Sequence, residues 1–461
     1  MKREEEQPFR ITTDFDAGKD KFSERLYAKK FLRKITLRTR GKDWFVWNGC
    51  AWKEQDASSF EPQAMSVLPD SFKTARNMRA VMEHAAAVKQ LAAGIDFCGA
   101  VRFDSDGSVL INCANGVLAV SAESETLRPH DPEMLFTAAL NAEWTGAQWT
   151  PELTPNFSHA LLEALPDSED RALQQWFAGY VLYPSCSHEV CLISYGEAGT
   201  GKSTISDAVT SVLGGEPLKT VLSMAQLCSE GQGAYSLPSL RDSMCNMGTE
   251  LDTVDVTDSS NFKRIISAEP TQVRPIYGAP FQMTTTCKLW FNANSLPRFK
   301  HGTDAELRRI RFLCFKNKPE NKDETLKERL SAERNGLLSF MVQGLQAIMS
   351  GMPASEGGPE SIRVKERFAI SNDPVTAWAK QCLVFGPGEE VHKDDLLESF
   401  NAFMHSWGFP EKSKSHLFRM FYERFAVEGF RRNHESTGPD GDKRAAGSWV
   451  RGVRILKAGD E

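Results

Sequence analysis

Short apolar runs alternate with helical patterns through the middle of the chain. Four runs have the length and composition of buried strands. They lie at residues 190–195, 244–248, 288–293 and 311–315. Helical spacing of apolar residues predicts helices at 158–165, 169–182 and 203–213. Because neighbouring parallel strands need a crossover connection, this alternation predicts an α/β core with a mostly parallel sheet covered by helices.

The first 150 residues follow a different pattern. Bulky residues alternate on both sides of Asn48-Gly49, which is a strong hairpin signal, and a second strand–turn–strand pattern surrounds Asn115-Gly116. Helical periodicity dominates residues 71–93. Together these patterns predict a mixed α+β module.

The end of the chain combines helices with a final strand pair. Helical patterns occur at residues 361–369, 375–382, 393–405 and 414–428, and strands are predicted near 449–456. This succession is typical of a winged-helix-like module. The composition of residues 351–360, rich in glycine and proline, predicts a flexible linker before it. The predicted domains are therefore 1–150, 151–350 and 361–461, with the linker at 351–360.

Composition narrows the class of protein. Of 461 residues, 41% are hydrophobic and 25% are charged, which are ordinary values for a globular protein and argue against global disorder. No uncharged apolar run approaches the roughly 20 residues that a membrane span needs, so we expect a cytoplasmic protein without a membrane partner. The ten cysteines are scattered without a CxxC pair, and no HExxH motif is present. We interpret the cysteines as reduced thiols and expect no structural zinc site.

A glycine-rich loop follows the first predicted core strand and satisfies the pattern G-x-x-x-x-G-K-[ST]. Its residues are Gly196, Glu197, Ala198, Gly199, Thr200, Gly201, Lys202, Ser203 and Thr204. Glycines let backbone N–H groups close around phosphates, and the N-terminus of the next helix adds partial positive charge. We expect ATP and Mg²⁺ here, with Lys202 reaching the β- and γ-phosphates and the Ser203 hydroxyl binding the metal. The alternative is a chance glycine-rich turn, which the strand–loop–helix context disfavours.

Two further predicted strands end in polar residues. The run at 244–248 is followed by Glu250, which could hold Mg²⁺ or orient the attacking water. A solvated loop acid is the alternative, because most glutamates are exposed. The run at 288–293 is followed by Asn294 and then by Pro297. An amide there could hold the nucleophilic water, whereas the alternative is an ordinary turn asparagine.

Two arginines, Arg308 and Arg309, precede the last core strand. A guanidinium group suits a γ-phosphate on a neighbouring subunit, where it would act as an arginine finger. The alternative is a basic edge or an interface salt bridge. The sequence does not distinguish between the two arginines.

In this order, the four motifs resemble those of superfamily III helicases, in the group of phage and plasmid primase–helicases and poxvirus primase–helicases. The resemblance is sharp over residues 190–315, fair over 20–180 and faint after 360. It implies a P-loop NTPase core of AAA+-like type, a ring-shaped oligomer, usually a hexamer, with ATP between subunits, and 3′-to-5′ movement on single-stranded DNA. By matching motifs it implies that Lys202 and Ser203 carry the nucleotide and that Glu250 serves the metal and the water. It likewise makes Asn294 the sensor and Arg308 or Arg309 the finger.

Some features depart from the family pattern. The family's acidic strand often ends in adjacent carboxylates, but Leu251 separates Glu250 from Asp252. The hairpin expected at 271–285 usually presents a basic or aromatic tip to DNA, and here its turn lacks a lysine. The candidates for DNA contact are Lys263, Arg274 and Tyr277.

Charge adds one further candidate surface. The net charge of −6 gives no overall nucleic-acid footprint, so any contact must come from local basic surfaces. Residues 412–457 contain eleven lysines and arginines against five acidic residues. A winged-helix face for DNA and an ordinary solvated basic face remain equal alternatives.

The leading functional prediction is an ATP-dependent DNA helicase that replicates a phage, plasmid or mobile element. Its expected partners are single-stranded and forked DNA, further copies of itself and possibly a separate primase or replication protein. The chain begins too close to the helicase-like region to include a primase catalytic domain, so primer synthesis is not expected. The alternatives are an origin-melting initiator or translocase without processive unwinding, and a nucleotide-dependent assembly scaffold.

Overall fold

The computed structural model describes residues 21–229, 233–248, 255–256, 258–276, 278–299, 304–319, 323–437, 443–444 and 446–456. The chain divides into two compact units, Met1–Phe97 and Cys98–Glu461.

The first unit is a small α+β structure, as predicted. Its elements are α1 (Glu24–Leu32), β1 (Leu37–Arg40), β2 (Asp43–Trp47), β3 (Trp52–Gln55), α2 (Glu61–Ser66) and α3 (Ala75–Val88). The three strands pair antiparallel in the order β1-β2-β3. The predicted hairpin is confirmed, and its turn is held by Asn48, whose Oδ1 accepts hydrogen bonds from the backbone N–H groups of Cys50 and Ala51. The helix predicted over 71–93 is shorter, because Thr74 caps its N-terminus and it ends at Val88.

The second unit opens with an antiparallel meander and two helices. These elements are β4 (Val101–Phe103), β5 (Val109–Cys113), β6 (Gly116–Val120), β7 (Glu125–Arg128), α4 (Pro155–Ala164) and α5 (Ser168–Leu182). Strands β5 and β6 are buried along their whole length. The side chains on one face of these strands belong to a hydrophobic core that extends to Ile348, so this core runs through the boundary predicted at about residue 150. Those on the other face pack in a smaller cluster with Phe136.

Alternating strands and helices then build the core of this unit. They are β8 (Cys191–Gly196), α6 (Lys202–Thr210), β9 (Lys219–Thr220), α7 (Met224–Cys228), α8 (Gly233–Ser236), β10 (Cys245–Gly248), β11 (Asp255–Val256), α9 (Ser260–Ile266), β12 (Thr271–Val273), β13 (Phe281–Met283), β14 (Lys288–Ala293), β15 (Arg298–Phe299), α10 (Asp304–Arg309), β16 (Ile310–Phe315), α11 (Leu326–Ala332) and α12 (Arg334–Met349). The central sheet has the order β16-β8-β14-β10-β9, and all its described pairings are parallel. The predicted α/β core with a parallel sheet is confirmed.

Two helices cross closely on this core. A Cβ atom added to Gly344 on α12 would lie 2.1 Å from the Gln175 carbonyl oxygen on α5, and one added to Gly179 would lie 2.1 Å from the Gly344 carbonyl carbon. Only glycine permits backbones to approach so closely. A second link joins α12 to α4, because the Glu333 carboxylate accepts hydrogen bonds from the backbone N–H groups of Asn156 and Phe157.

The end of the chain contains α13 (Pro359–Asn372), α14 (Pro374–Cys382), β17 (Leu383–His392), α15 (Lys393–Ser406), α16 (Lys414–Arg424), β18 (Glu428–Arg432), β19 (Ser436–Thr437), β20 (Lys443–Arg444) and β21 (Gly447–Ile455). Strands β17, β21 and β18 form an antiparallel sheet in that order. The helix predicted over 414–428 ends at Arg424, because the chain turns there toward β18. Strand β17 was not predicted.

The segment interpreted as a flexible linker, 351–360, makes specific contacts. The Gly358 N–H donates to the Asp170 Oδ1 atom on α5 at 2.8 Å, and the Trp176 indole N–H donates to the Met352 carbonyl at 2.9 Å. Glu356 forms an ion pair with Arg311 of β16. These contacts attach the segment to α5 and β16.

Burial explains the placement of the cysteines. All ten lie within the described residues, none of them forms a disulfide, and six are buried. Burial raises the pKa of the Cys287 thiol to about 12 and thereby disfavours its reactive thiolate form. Across the described residues, no helix is long and apolar enough to cross a bilayer.

Replacing Gly344 with alanine will test the crossing of α5 and α12. The new methyl group would meet backbone atoms, which side-chain rotation cannot relieve, so we expect a loss of about 3 kcal/mol in the free energy of unfolding. Thermal unfolding measures the effect. Gly215→Ala is the matched control, since no heavy atom lies within 4 Å of its added Cβ. Equal unfolding temperatures for the two variants would contradict this account of the crossing.

Candidate functional site

Parallel strands bring several loops to one edge of the central sheet. Strand β8 lies between β16 and β14, with Phe315 opposite Gly196 and Asn292 opposite Ser194. The segments that follow β8, β14 and β16 therefore emerge together at the carboxyl ends of the strands. In open α/β sheets this is where ligands bind.

The glycine-rich loop lies at this edge, between β8 and α6. Gly199 and Gly201 have φ values of +83° and +88°, a left-handed conformation that other residues rarely adopt. The Thr200 hydroxyl donates to the Glu197 carbonyl at 2.8 Å and closes the loop on itself. Helix α6 then begins at Lys202, and no side chain caps its N-terminus. Its first N–H groups are therefore available to an anion.

Lys202 is the buried cation of this loop. Only 7% of the residue is exposed. Its Nζ atom donates to the carbonyl oxygens of Gly196 at 2.7 Å and Glu197 at 2.6 Å. No carboxylate among the described residues forms an ion pair with it, and burial lowers its pKa. A buried ammonium group with only neutral acceptors is an electrostatically favourable position for an anion.

A cavity of about 1090 Å³ adjoins the loop. Its walls come from α4, the loop and α6, the segment after β16, and α11. Representative lining residues are His159, Glu163, Thr200, Leu326 and Arg329. At its rim Lys318 forms a 2.6 Å ion pair with Glu197 of the loop. The volume suits a small-molecule ligand. Apart from the loop residues, the sequence patterns gave no indication of its walls.

Two asparagines lie in and directly after β14. Asn294, the predicted sensor, comes directly after the strand and is exposed at the ligand edge. Asn292 lies within the strand and is buried, and its Nδ2 atom is 3.0 Å from the Ser206 hydroxyl and 3.5 Å from the Ser203 hydroxyl. Sequence reasoning missed Asn292. The signal was a polar residue inside an apolar strand, two positions before Asn294.

Glu250 and Asp252 lie outside the described residues. Strand β10 ends two residues before Glu250, and it pairs with β14 through Gly248 and Phe291. In the part of the chain that is described, no group of three or more His, Cys, Asp or Glu residues is arranged to hold a metal ion.

The two predicted finger arginines have different environments. Arg309 is buried, and its guanidinium group donates to the Ser267 hydroxyl at 3.2 Å and lies 2.8 Å from a Glu189 carboxylate oxygen. The Arg308 side chain is 67% exposed, and its nearest Glu189 oxygen is 3.7 Å away. Arg309 thus forms internal contacts, while Arg308 faces solvent.

The candidates for DNA contact surround the hairpin of β12 and β13, which pair antiparallel as expected. Arg274 follows β12, and its Nε atom donates to the Gly278 carbonyl at 3.3 Å. Lys263 on α9 forms a 3.2 Å ion pair with the buried Glu306. Tyr277 lies outside the described residues. Contact with DNA by these residues stays a prediction.

Two family models match separate parts of the chain. One is described as D5 N terminal like and matches residues 21–176, and the other is a family of unknown function, DUF5906, which matches residues 194–309. Both are typical of phage- and plasmid-type primase–helicase proteins. This relationship associates the chain with phage-type DNA replication. None of the curated proteins matches it in sequence.

Solved structures resemble the chain in fold. The apo A form of the NrS-1 C-terminal region is 13% identical over 93% of this chain and 98% of its own, with a TM-score of 0.50. A further apo structure of that region is 12% identical over 94% of this chain and 100% of its own, with a TM-score of 0.48. At such identities the likeness concerns the fold alone.

Arg309→Ala will test the internal role of this arginine. The variant leaves Glu189 and Ser267 without their guanidinium partner, so we expect the free energy of unfolding to fall by about 2 kcal/mol. Arg308→Ala is the control, for which we expect a change within about 0.5 kcal/mol. Thermal or urea unfolding of both variants gives the comparison. A larger loss for Arg308→Ala would reverse the assignment.

Proposed function

We propose that this chain is an ATP-dependent DNA helicase of phage- or plasmid-type replication, which binds Mg²⁺-ATP at the glycine-rich loop. The environment of Lys202 carries the proposal. Its ammonium group lies between two loop carbonyls beside the uncapped N-terminus of α6, so positive potential is concentrated where the phosphates would lie. This arrangement is typical of P-loop NTPases, in which the lysine reaches the β- and γ-phosphates.

The rest of the nucleotide has a suitable place beside the loop. The adjoining cavity shares Thr200 and Gly201 with the loop and reaches His159 on α4 and Leu326 on α11. Its lining combines apolar side chains such as Leu326 with many polar and charged groups, which can hydrogen-bond a base and a ribose. We infer that the nucleoside occupies this cavity and that the phosphates extend toward Lys202.

Ser203 and Asn294 support hydrolysis in addition to binding. Ser203 is exposed at the start of α6, where its hydroxyl can bind Mg²⁺, and that ion would neutralise charge on the phosphates. Asn294 is exposed at the same edge, where its amide can position the attacking water. We assign Glu250 to the metal and to that water on its place in the sequence alone.

Ring assembly gives the exposed arginine a role. The proposed ring, by family resemblance a hexamer, would place Arg308 of one subunit near the nucleotide of the next. Arg308 is the better candidate for the finger because it is exposed, whereas Arg309 is engaged inside its own subunit. An arginine supplied in trans stabilises charge that develops on the phosphates in the transition state.

Two regions are candidates for contact with single-stranded or forked DNA. The hairpin of β12 and β13 exposes Ile276, of which 66% is accessible, next to Arg274. The second is the end of the chain, where α14, β17, α15, α16, β18 and β21 follow the order of a winged-helix module and the strands form one small sheet. In helix-turn-helix proteins the second helix approaches DNA, which corresponds here to α16.

The first test measures ATP hydrolysis with and without single-stranded DNA. We expect DNA to stimulate the wild-type rate and Lys202→Ala to reduce hydrolysis at least about 100-fold, because the phosphates lose their buried positive partner. Lys327→Ala, at an exposed position of α11, is the control and should behave as the wild type. A hydrolysis rate that DNA does not change would contradict the proposal of a DNA-driven helicase. Absence of hydrolysis in an assembled wild type would favour the nucleotide-dependent scaffold.

Subunit mixing tests whether Arg308 acts in trans. Arg308→Ala should retain nucleotide binding but lose roughly 1000-fold in hydrolysis, as expected for an arginine finger. Mixed with Lys202→Ala, it should regain activity, because one subunit then supplies an intact loop and its neighbour an intact arginine. Mixing of Arg309→Ala with Lys202→Ala is the comparison. If the Arg308→Ala mixture stays inactive while mixed oligomers form, Arg308 is not the finger.

A further inference from the structure

Asn292 is an unusual residue for its position. It lies in β14, whose six residues are all buried, and only 7% of it is exposed. The strand is central in the sheet, with β8 on one side and β10 on the other. A buried polar side chain in such a strand needs hydrogen-bond partners, because it has given up those that water would provide.

Its amide nitrogen has those partners on α6. The Nδ2 atom is 3.0 Å from the Ser206 hydroxyl oxygen and 3.5 Å from the Ser203 hydroxyl oxygen. The single proton of Ser206 is directed at the Ser203 carbonyl, 3.4 Å away. Ser206 therefore accepts a hydrogen bond from Asn292, which fixes the amide with nitrogen toward α6.

The amide oxygen of Asn292 differs from the amide nitrogen in its hydrogen bonding. Asn292 Oδ1 is fully buried and has no hydrogen-bond partner among the described residues. An unmade hydrogen bond of this kind is destabilising and is rare in native proteins. Other buried side-chain atoms among the described residues also have no partner, but this one belongs to a side chain that contacts Ser203 at the start of α6.

Ser203 indicates which group this is. The serine is exposed at the ligand edge, whereas Asn292 lies buried behind it. A hydrogen bond donated by Nδ2 occupies one lone pair of the Ser203 hydroxyl and leaves the other for a metal ion. Magnesium keeps several of its water ligands in proteins, and each of these waters donates hydrogen bonds to nearby oxygens.

We infer that Asn292 is a positioning residue for the metal–nucleotide complex, and this inference rests on the proposed function. Its Nδ2 orients the Ser203 hydroxyl toward the metal, and its Oδ1 accepts a hydrogen bond from a water of the metal's hydration shell. Asn294 takes a different role at the same strand, since it is exposed and two residues nearer the edge. Asn292 thus positions the hydration shell of the metal, and Asn294 positions the attacking water.

The experiment measures how strongly Mg²⁺ improves nucleotide binding, without turnover. The probe is a fluorescent ADP, titrated by anisotropy in Mg²⁺ and in EDTA, and the readout is the ratio of the two dissociation constants. For Asn292→Leu, similar in volume but unable to hydrogen-bond, we expect the Mg²⁺-dependent gain to fall about tenfold, as for other residues that support metal ligands. Affinity in EDTA should stay close to that of the wild type.

Asn292→Asp separates this role from a structural one. The carboxylate loses the Nδ2 donor to Ser203 but keeps an acceptor for the metal-bound water, and its negative charge repels a nucleotide that carries no metal. The ratio should therefore exceed that of the wild type, which loosened packing would not produce. Thr210→Val is the structural control, because Thr210 lies buried on α6 and its hydroxyl donates to the Ser206 carbonyl without contacting Asn292.

The outcomes are distinguishable. If the wild type gains affinity with Mg²⁺ and Asn292→Leu and Asn292→Asp gain equally, the inference about Asn292 is overturned and the nucleotide site stands. If the wild type binds no fluorescent ADP in either buffer, the proposed function fails and the inference fails with it. A ratio that falls in Asn292→Leu, rises in Asn292→Asp and is unchanged in Thr210→Val is the expected result.

Discussion

The buried ammonium group of Lys202 is the constraint on which the rest of the site depends. A charge removed from water is stable only when dipoles or an opposite charge face it. Here two loop carbonyls supply the dipoles, but the N-terminus of α6 adds positive potential at the same place. The loop therefore carries an unfavourable electrostatic energy that a bound anion would relieve. Relief of this energy would contribute part of the binding free energy of an anion.

The central sheet holds the glycine-rich loop in place, so the loop cannot rearrange to relieve the unfavourable electrostatic energy around Lys202. Strand β8 is held between β16 and β14, and the indole N–H of Trp290 donates to the Ser194 hydroxyl at 3.0 Å across β14 and β8. Behind the sheet, α5 and α12 are packed so closely that two glycines meet at their crossing. A loop that begins and ends on such rigid elements cannot move its lysine into solvent at low cost. Rigidity of the scaffold and polarity of the loop are thus two parts of one arrangement.

The sequence was informative where a single segment carries its own signal. The runs predicted at 190–195 and 288–293 lie within one residue of the strands, because strands buried on both faces are mostly apolar along their length. Pairing is a property of several segments, so the order of the strands could not be predicted. The role of Asn292 could not be predicted either, because its contact with α6 depends on its register opposite β8. The same limit applies to Arg309, whose partners Glu189 and Ser267 are distant in sequence.

Charge at the end of the chain shows why composition alone misleads. Residues 412–457 are strongly basic, yet Arg432 and Arg451 both pair with the partly buried Glu390, and Arg454 pairs with Glu389. These arginines hold β17, β18 and β21 together, so their charge is largely neutralised within the sheet. Helix α16 follows the same rule, because Lys414 pairs with Asp394 and Arg424 pairs with Asp373. Arg419 is exposed on this helix, and burial, together with the positive charges of Lys412 and Arg419, lowers the pKa of His416. Ion pairs thus neutralise much of the positive charge in residues 412–457, on α16 as well as on the strands, so a count of basic residues overstates the charge that a phosphate backbone could meet.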